Sequence, residues 1–251
     1  MTDQDTFAFA LALADDTLVL GHRLSEWSSK APTLEEDIAL SNLGLDVIGQ
    51  ARLFYQLAAR LEGKGRDEDR LAYFRDASEF RNVLLVELPR GDFAFTMGRQ
   101  LFVAAFLHPY YAAMTRSTMP DFAEIAAKAV KEMAYHVRHS GEWVIRLGDG
   151  TEESRRRMVA ALDALWPYTG ELFDMSVGER RLVAAGVAPD RAAIRPGWEA
   201  TIDRVLREAG LERPQVSAAI TGGRTCRHTE HLAPMLAEMQ ELARAHPGVT
   251  W

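Results

Sequence analysis

Between Thr6 and about Ser28, the apolar residues Phe9, Leu13, Leu20, Leu24 and Trp27 recur at steps of three, four or seven. That spacing puts side chains on one face of an α-helix and predicts a first amphipathic helix. Ala31-Pro32-Thr33 interrupts the pattern, and Thr33 and Glu36 stand at capping-box spacing, so a second helix is predicted from about Leu34 to Glu62, where Gly63 ends it. A shorter helix is expected over about Asp67 to Glu87, before Pro89-Arg-Gly-Asp turns the chain. The stretch from Phe93 to Ser117 is apolar almost all round, which marks a buried central helix, with a kink expected at His108-Pro109. From Asp121 to Leu147 the positions Phe122, Ala126, Ala129, Met133, Val137, Ser140, Val144 and Leu147 step by three or four, the packing stripe of a bundle. A fifth helix is predicted from Thr151 to about Asp174, with shorter ones near Pro189 to Ile194, Pro196 to Gly210 and Thr229 to Ala245. No segment alternates as a half-buried strand would. The pattern predicts an all-α helical bundle of four long core helices with shorter C-terminal helices. It forms one domain over 1–251, with the long-helix core at about 6–175 and the shorter helices at about 189–245.

Composition narrows the partners. The 251 residues are 47% apolar and 26% charged, ordinary for a globular chain, and the net charge of −7 offers no general attraction to nucleic acid or anionic membranes. The longest apolar runs, such as Val103 to Leu107, fall far short of the roughly 20 residues a membrane span needs. Cys226 is the single cysteine, so no disulfide within the chain and no cysteine-based metal site can form, and it reads as a free structural thiol. The acidic start Met1-Thr-Asp-Gln-Asp has no basic region of the kind a signal peptide carries, and the expected location is the cytoplasm.

A carboxylate-bridged di-iron site in a helical bundle needs one carboxylate from each of two helices and a Glu-x-x-His pair from each of two others. Only the outline is present. Asp46 is followed three residues on by Gly49, and Glu132 by Tyr135, while no acid occurs between Asp92 and Asp121, where the interior reads Phe102-Val-Ala-Ala-Phe. Asp15, Asp16, His22 and Glu26 on the first helix cannot make good these losses. Glu132, His136 and His139 follow one another at steps of four and three, a strip that could hold zinc if a neighbour added a ligand. The preferred reading of the strip is polar groups flanking the packed face, hydrogen-bonded to each other or to a neighbouring subunit. Asn42, Asp46 and Gln50 on the second helix, continued by Arg52, Gln56 and Arg60, read as a solvent or partner face.

Thr221-Gly-Gly-Arg-Thr-Cys-Arg-His-Thr-Glu-His-Leu232 is the least ordinary loop. Two glycines permit close backbone approach, and Arg224 and Arg227 before a helix start could receive phosphate groups or contact a partner subunit. His228, Glu230 and His231 are too close in sequence at a helix start to converge on one metal.

Taken together, several stretches resemble one family along nearly the whole chain. They include Arg23-Leu-Ser-Glu-Trp27, the run Asp37 to Arg52, Asn82-Val-Leu-Leu-Val-Glu87, Lys128 to His136, Glu171-Leu-Phe-Asp174 and His228 to Gln240. The family is the C subunits of the ring-1,2-phenylacetyl-CoA epoxidases, multicomponent oxygenases of bacterial phenylacetate degradation. The resemblance implies a ferritin-like, structural and non-catalytic subunit with no cofactor of its own. It also implies a homologous catalytic A subunit that holds the di-iron centre, a flavin and iron–sulfur reductase, and a reaction that epoxidises phenylacetyl-CoA. The alternatives are a stand-alone metalloenzyme using Glu132, His136 and His139, or a sibling complex acting on another aryl-CoA, and a homodimer is a further possible assembly. The chain departs from the family's pattern at Ala104, where members can carry a more polar residue, and no catalytic residue carries over.

Overall fold

The computed structural model describes residues 3–215 and 219–249; Met1 and Thr2 of the acidic start lie outside them. The described residues form ten α-helices and no strand. Four long ones build the bundle: α1 (Asp3–Ser25), α2 (Leu34–Glu62), α5 (Phe93–Met114) and α6 (Pro120–Gly148). Between α2 and α5 lie the short α3 (Glu68–Tyr73) and α4 (Leu84–Glu87). After α6 come α7 (Glu152–Leu165), α8 (Val177–Ala184), α9 (Arg191–Glu208) and α10 (Leu232–Ala245).

Local chemistry explains the boundaries. Thr33 caps α2 by accepting a hydrogen bond from the Glu36 backbone, and Gly63, in the left-handed region at φ 66°, closes it. Asp92 caps α5 in the same way through the Phe95 backbone N–H. The segment 67–87 is not one helix, as the pattern suggests, but two short helices joined by a 3-10 turn at Ala77–Glu79. Its polar side chains serve tertiary contacts: the Arg75 guanidinium and the Asn82 amide are buried. In contrast, α9 runs unbroken past Pro196 because Ile194, Trp198, Ile202, Val205 and Leu206 pack it onto the bundle. Likewise α5 continues past Pro109.

α1 and α2 form one antiparallel hairpin and α5 and α6 another. Gly21 lets the first hairpin close: a Cβ there would lie 2.5 Å from Ile48 Cγ1 and 3.3 Å from the Gly44 carbonyl oxygen. A shared core joins the hairpins through Phe9, Phe54, Tyr111 and Phe122, whose rings meet at centroid distances of 5.0 to 6.4 Å. α7 and α9 cover α5, and Trp198 donates its indole N–H to the Phe102 carbonyl at 2.9 Å. No helix among the described residues is long and apolar enough to cross a membrane.

Candidate functional site

The seam between α2 and α6, backed by α5, is where a bundle of this kind would assemble a metal centre. The two helices run antiparallel there, so Asp46 meets His136 and Gln50 meets Glu132. His136 Nε2 lies 3.1 Å from Asp46 Oδ2, and its Nδ1 lies 2.8 Å from the Gln100 amide of α5. One turn away, Gln50 donates to Glu132 at 2.8 Å. His136 and Gln100 are fully buried and Gln50 nearly so, while Asp46 keeps 35% of its side chain exposed and Glu132 17%. Each potential ligand is thus already joined to a neighbouring side chain. The Gln50 and Gln100 carbonyl oxygens are buried with no hydrogen-bond partner.

This arrangement corrects two readings of the sequence. Gln50 does not belong to a solvent face; it is 2% exposed and points into the seam. Gly49 and Tyr135, taken from spacing as two vacated ligand positions, face away from it. A Cβ on Gly49 would meet nothing within 4 Å, and Tyr135 is 40% exposed. The inward pairs are spaced by four residues rather than three. Ala104, one turn on from Gln100, is fully buried. Nor do Glu132, His136 and His139 converge, since His139 turns aside to Glu36 at 2.9 Å. No group of three or more His, Cys, Asp or Glu side chains among the described residues is placed to hold a metal ion.

The acids of α1 are committed elsewhere. Asp15, fully buried, accepts from Tyr55 Oη at 2.6 Å and the Arg81 backbone at 2.9 Å, and forms an ion pair with Arg75. Asp16 accepts from the Val83 backbone at 2.8 Å and pairs with Arg224 at 2.5 Å. Burial lifts the Asp16 carboxyl above the ordinary range, against the pull of Arg224 and Arg191. With α1 occupied in this way and α5 offering an amide where a carboxylate is required, the residues present do not fit a di-iron centre.

Missed by sequence reading is a pair of buried carboxylates that tie the loop 221–231 to the bundle. Glu87 accepts from Asn82 Nδ2 at 2.8 Å and the Thr229 backbone at 2.6 Å, and His228 Nδ1 lies 2.7 Å away. Glu171 accepts from the backbones of Leu84 at 2.7 Å and Gly222 at 2.9 Å. Gly223 sits so tightly that a Cβ would fall 1.9 Å from the Asn82 carbonyl oxygen. Burial works against the charge on His228, but hydrogen bonding to Glu87 and the Phe80 carbonyl outweighs it and raises its pKa.

This loop also walls a cleft of about 390 Å³ against the start of α8. Arg180, Arg224, Arg227, Ser176, Thr221 and Thr225 line it, with Asp174 as an opposing acid. Arg224 is only 15% exposed and held by Asp16, the Arg81 carbonyl and the Ala12 carbonyl, so it is a strut of the loop. Arg227 is exposed and, among the described residues, Arg180 donates only to the Met175 carbonyl, so both have donors free for an anion. The other candidates stay apart: His231 lies 3.7 Å from Glu230 but not with His228, and Cys226 occupies the left-handed region at φ 60°.

Residues 1–251 match the family described as phenylacetic acid catabolic protein. A relative from Escherichia coli (strain K12), the C subunit of 1,2-phenylacetyl-CoA epoxidase, is 48% identical over 244 residues, 97% of this chain and 98% of the relative. Sequence, all-helical architecture and comparison agree: this chain belongs to the phenylacetic acid catabolic protein family.

Proposed function

We propose that the chain is the structural, non-catalytic C subunit of a cytoplasmic 1,2-phenylacetyl-CoA epoxidase. It works beside a homologous catalytic A subunit that holds the di-iron centre and receives electrons from a flavin and iron–sulfur reductase. The similarity to an epoxidase C subunit over both chains' lengths supports the assignment. The observation that carries the division of labour is the α2/α6 seam, where Asp46, His136, Gln100, Gln50 and Glu132 bond one another instead of presenting carboxylates to a metal.

The chain's contribution is then positional. Ligands of a metal centre must be held within fractions of an ångström, and a rigid helical neighbour provides that support. Phenylacetyl-CoA enters the same reading through the cleft, where Arg180 and Arg227 receive phosphate groups of the CoA moiety and Arg224 holds the loop in place. Co-expression with the catalytic subunit tests the assignment: the two should co-purify, and epoxidation should depend on this chain. Full activity without it would overturn the proposal. Replacing Arg180 and Arg227 with Ser should raise KM for the CoA ester about tenfold with kcat unchanged, whereas an unchanged KM would remove the ester from the cleft.

A further inference from the structure

A cleft of about 570 Å³ opens between α3 and α10, sharing no residue with the arginine-lined one. Hydrogen bonds fix its walls. Gln240 of α10 donates to the Ala72 and Arg75 carbonyls at 3.1 and 3.0 Å, and Arg244 to the Tyr73 carbonyl at 3.1 Å, so α10 satisfies acceptors left open around the end of α3. Beyond α10 the chain turns back through Gly248, at φ 87°, and brings Val249 to the cleft. Tyr73, Phe74, Met239, Leu242 and Val249 supply its apolar surface. Leu242 and Val249 remain 56% and 54% exposed, so the described residues leave this surface uncovered.

Charge in the cleft is carried by Asp67, Asp69, Arg70 and His246. Asp67 caps α3 through one carboxylate oxygen, while the Asp69 carboxylate has no hydrogen bond or ion pair among the described residues. Burial, together with the neighbouring Asp67 and Glu68 carboxylates, lifts the Asp69 carboxyl above its ordinary range, as expected of an acid short of a cation. Burial and Asp69 likewise raise the Tyr73 hydroxyl, which meets no hydrogen-bond partner among the described residues. Nearby, Arg52 and Gln56 are taken by Glu68. The one guanidinium of the cleft, Arg70, lies over the Phe74 ring at 4.4 Å and pairs with neither acid, a cation already seated on an aromatic face. Two carboxylates, a free phenol and uncovered apolar surface therefore line one space.

We infer that this cleft binds a small organic cation, an ammonium group carried on an aryl or alkyl body. Its volume lies within the roughly 300–1000 Å³ typical of small-molecule sites. Asp69 and the Tyr73 hydroxyl accept the ammonium hydrogens, while the body of the ligand covers Met239, Leu242 and Val249. The same two carboxylates disfavour an anion, so the two clefts of the chain select ligands of opposite charge. The inference stands apart from the subunit reading above.

Phenethylammonium and phenylacetate each carry a phenyl ring on a two-carbon chain and differ in the sign of their charge, which makes them matched probes. Titrated into the full-length chain and followed by amide NMR shifts, phenethylammonium should move residues 67–74 and 239–249 with a Kd below about 1 mM, and phenylacetate should bind at least about tenfold more weakly. Asp69→Asn, made at an exposed position that caps no helix, should weaken the ammonium about fivefold and leave phenylacetate within about twofold. A circular dichroism melt of the variant confirms that its fold is kept. No shifts in the cleft at about 10 mM ammonium, equal affinity for the two probes, or a folded Asp69→Asn variant that binds the ammonium as wild type does would each overturn the inference. Shifts scattered over acidic residues elsewhere would mark ordinary ion pairing at the surface and overturn it as well.

Discussion

Removing the Asp15 carboxylate should be among the most damaging single changes in the core. The group is fully buried on α1 and serves three donors: Tyr55 Oη at 2.6 Å, the Arg81 backbone at 2.9 Å and the Arg75 guanidinium. Arg75 is also buried, and its remaining acceptors are the carbonyls of Leu71 at 2.5 Å and Glu79 at 2.9 Å, and Tyr55 Oη at 3.2 Å. In Asp15→Ala the guanidinium loses its counter-ion in a site water cannot reach, while a phenol and a backbone N–H lose their acceptor. Breaking one side of a buried pair costs about 3–5 kcal/mol, far more than an exposed pair is worth. For a chain of this size that corresponds to a fall in Tm of roughly 6–20 °C. Urea unfolding followed by circular dichroism reads the loss directly. The double variant Asp15→Leu, Arg75→Met should recover at least half of it, because the stranded charge is gone. A loss below about 1 kcal/mol in Asp15→Ala, or strict additivity in the pair, would refute the reasoning.

Two glycines should respond in opposite senses. Gly49→Ala, in a helix interior with open space around the new methyl group, should stabilise the chain by about 0.5–1 kcal/mol in urea unfolding. Gly223→Ala, whose Cβ would strike the Asn82 carbonyl, should destabilise by several kcal/mol, on the order of a core overpacking change, and speed proteolysis of the loop 221–231. His228 has a raised pKa in the folded chain, so its pairing with Glu87 stabilises in full below its unfolded pKa of about 6.5 and fades as pH rises through the folded value. His228→Gln should accordingly lose more stability at pH 6 than at pH 9, and an equal loss at both would contradict the pairing.

Long periodic helices were legible in the sequence because their apolar stripes are uninterrupted. α2 spans the residues its capping box and closing glycine indicate, and α6 differs by a residue at each end. Segment 67–87 was not, since its structure depends on partners far away in sequence, including Asp15 for Arg75 and His228 for Glu87. α8 is short and capped by Ser176, whose hydroxyl accepts from the Glu179 backbone; Ser176 and Glu179 stand at the same capping-box spacing as Thr33 and Glu36, a signal the helix pattern alone passed over. At the site, spacing identified the right helices but the wrong register. Gly49 and Tyr135 stand three residues from Asp46 and Glu132, whereas packing turns the fourth residue, Gln50 or His136, into the seam. Arg99 and Gln100, adjacent polar residues in an otherwise apolar α5, were a signal that this helix carries buried hydrogen-bonding groups.

A non-catalytic role for this chain requires that the seam take no part in oxygen chemistry. The triple variant Asp46→Ala, Glu132→Ala, His136→Ala, assembled with the wild-type catalytic subunit and reductase, should epoxidise phenylacetyl-CoA at a rate within about twofold of the wild-type complex, with iron per complex unchanged, because a metal ligand or proton carrier lost would cost about 100-fold or more. A complex that assembles fully yet loses iron, or turns over about 100-fold more slowly, would show that this chain supplies catalytic groups after all.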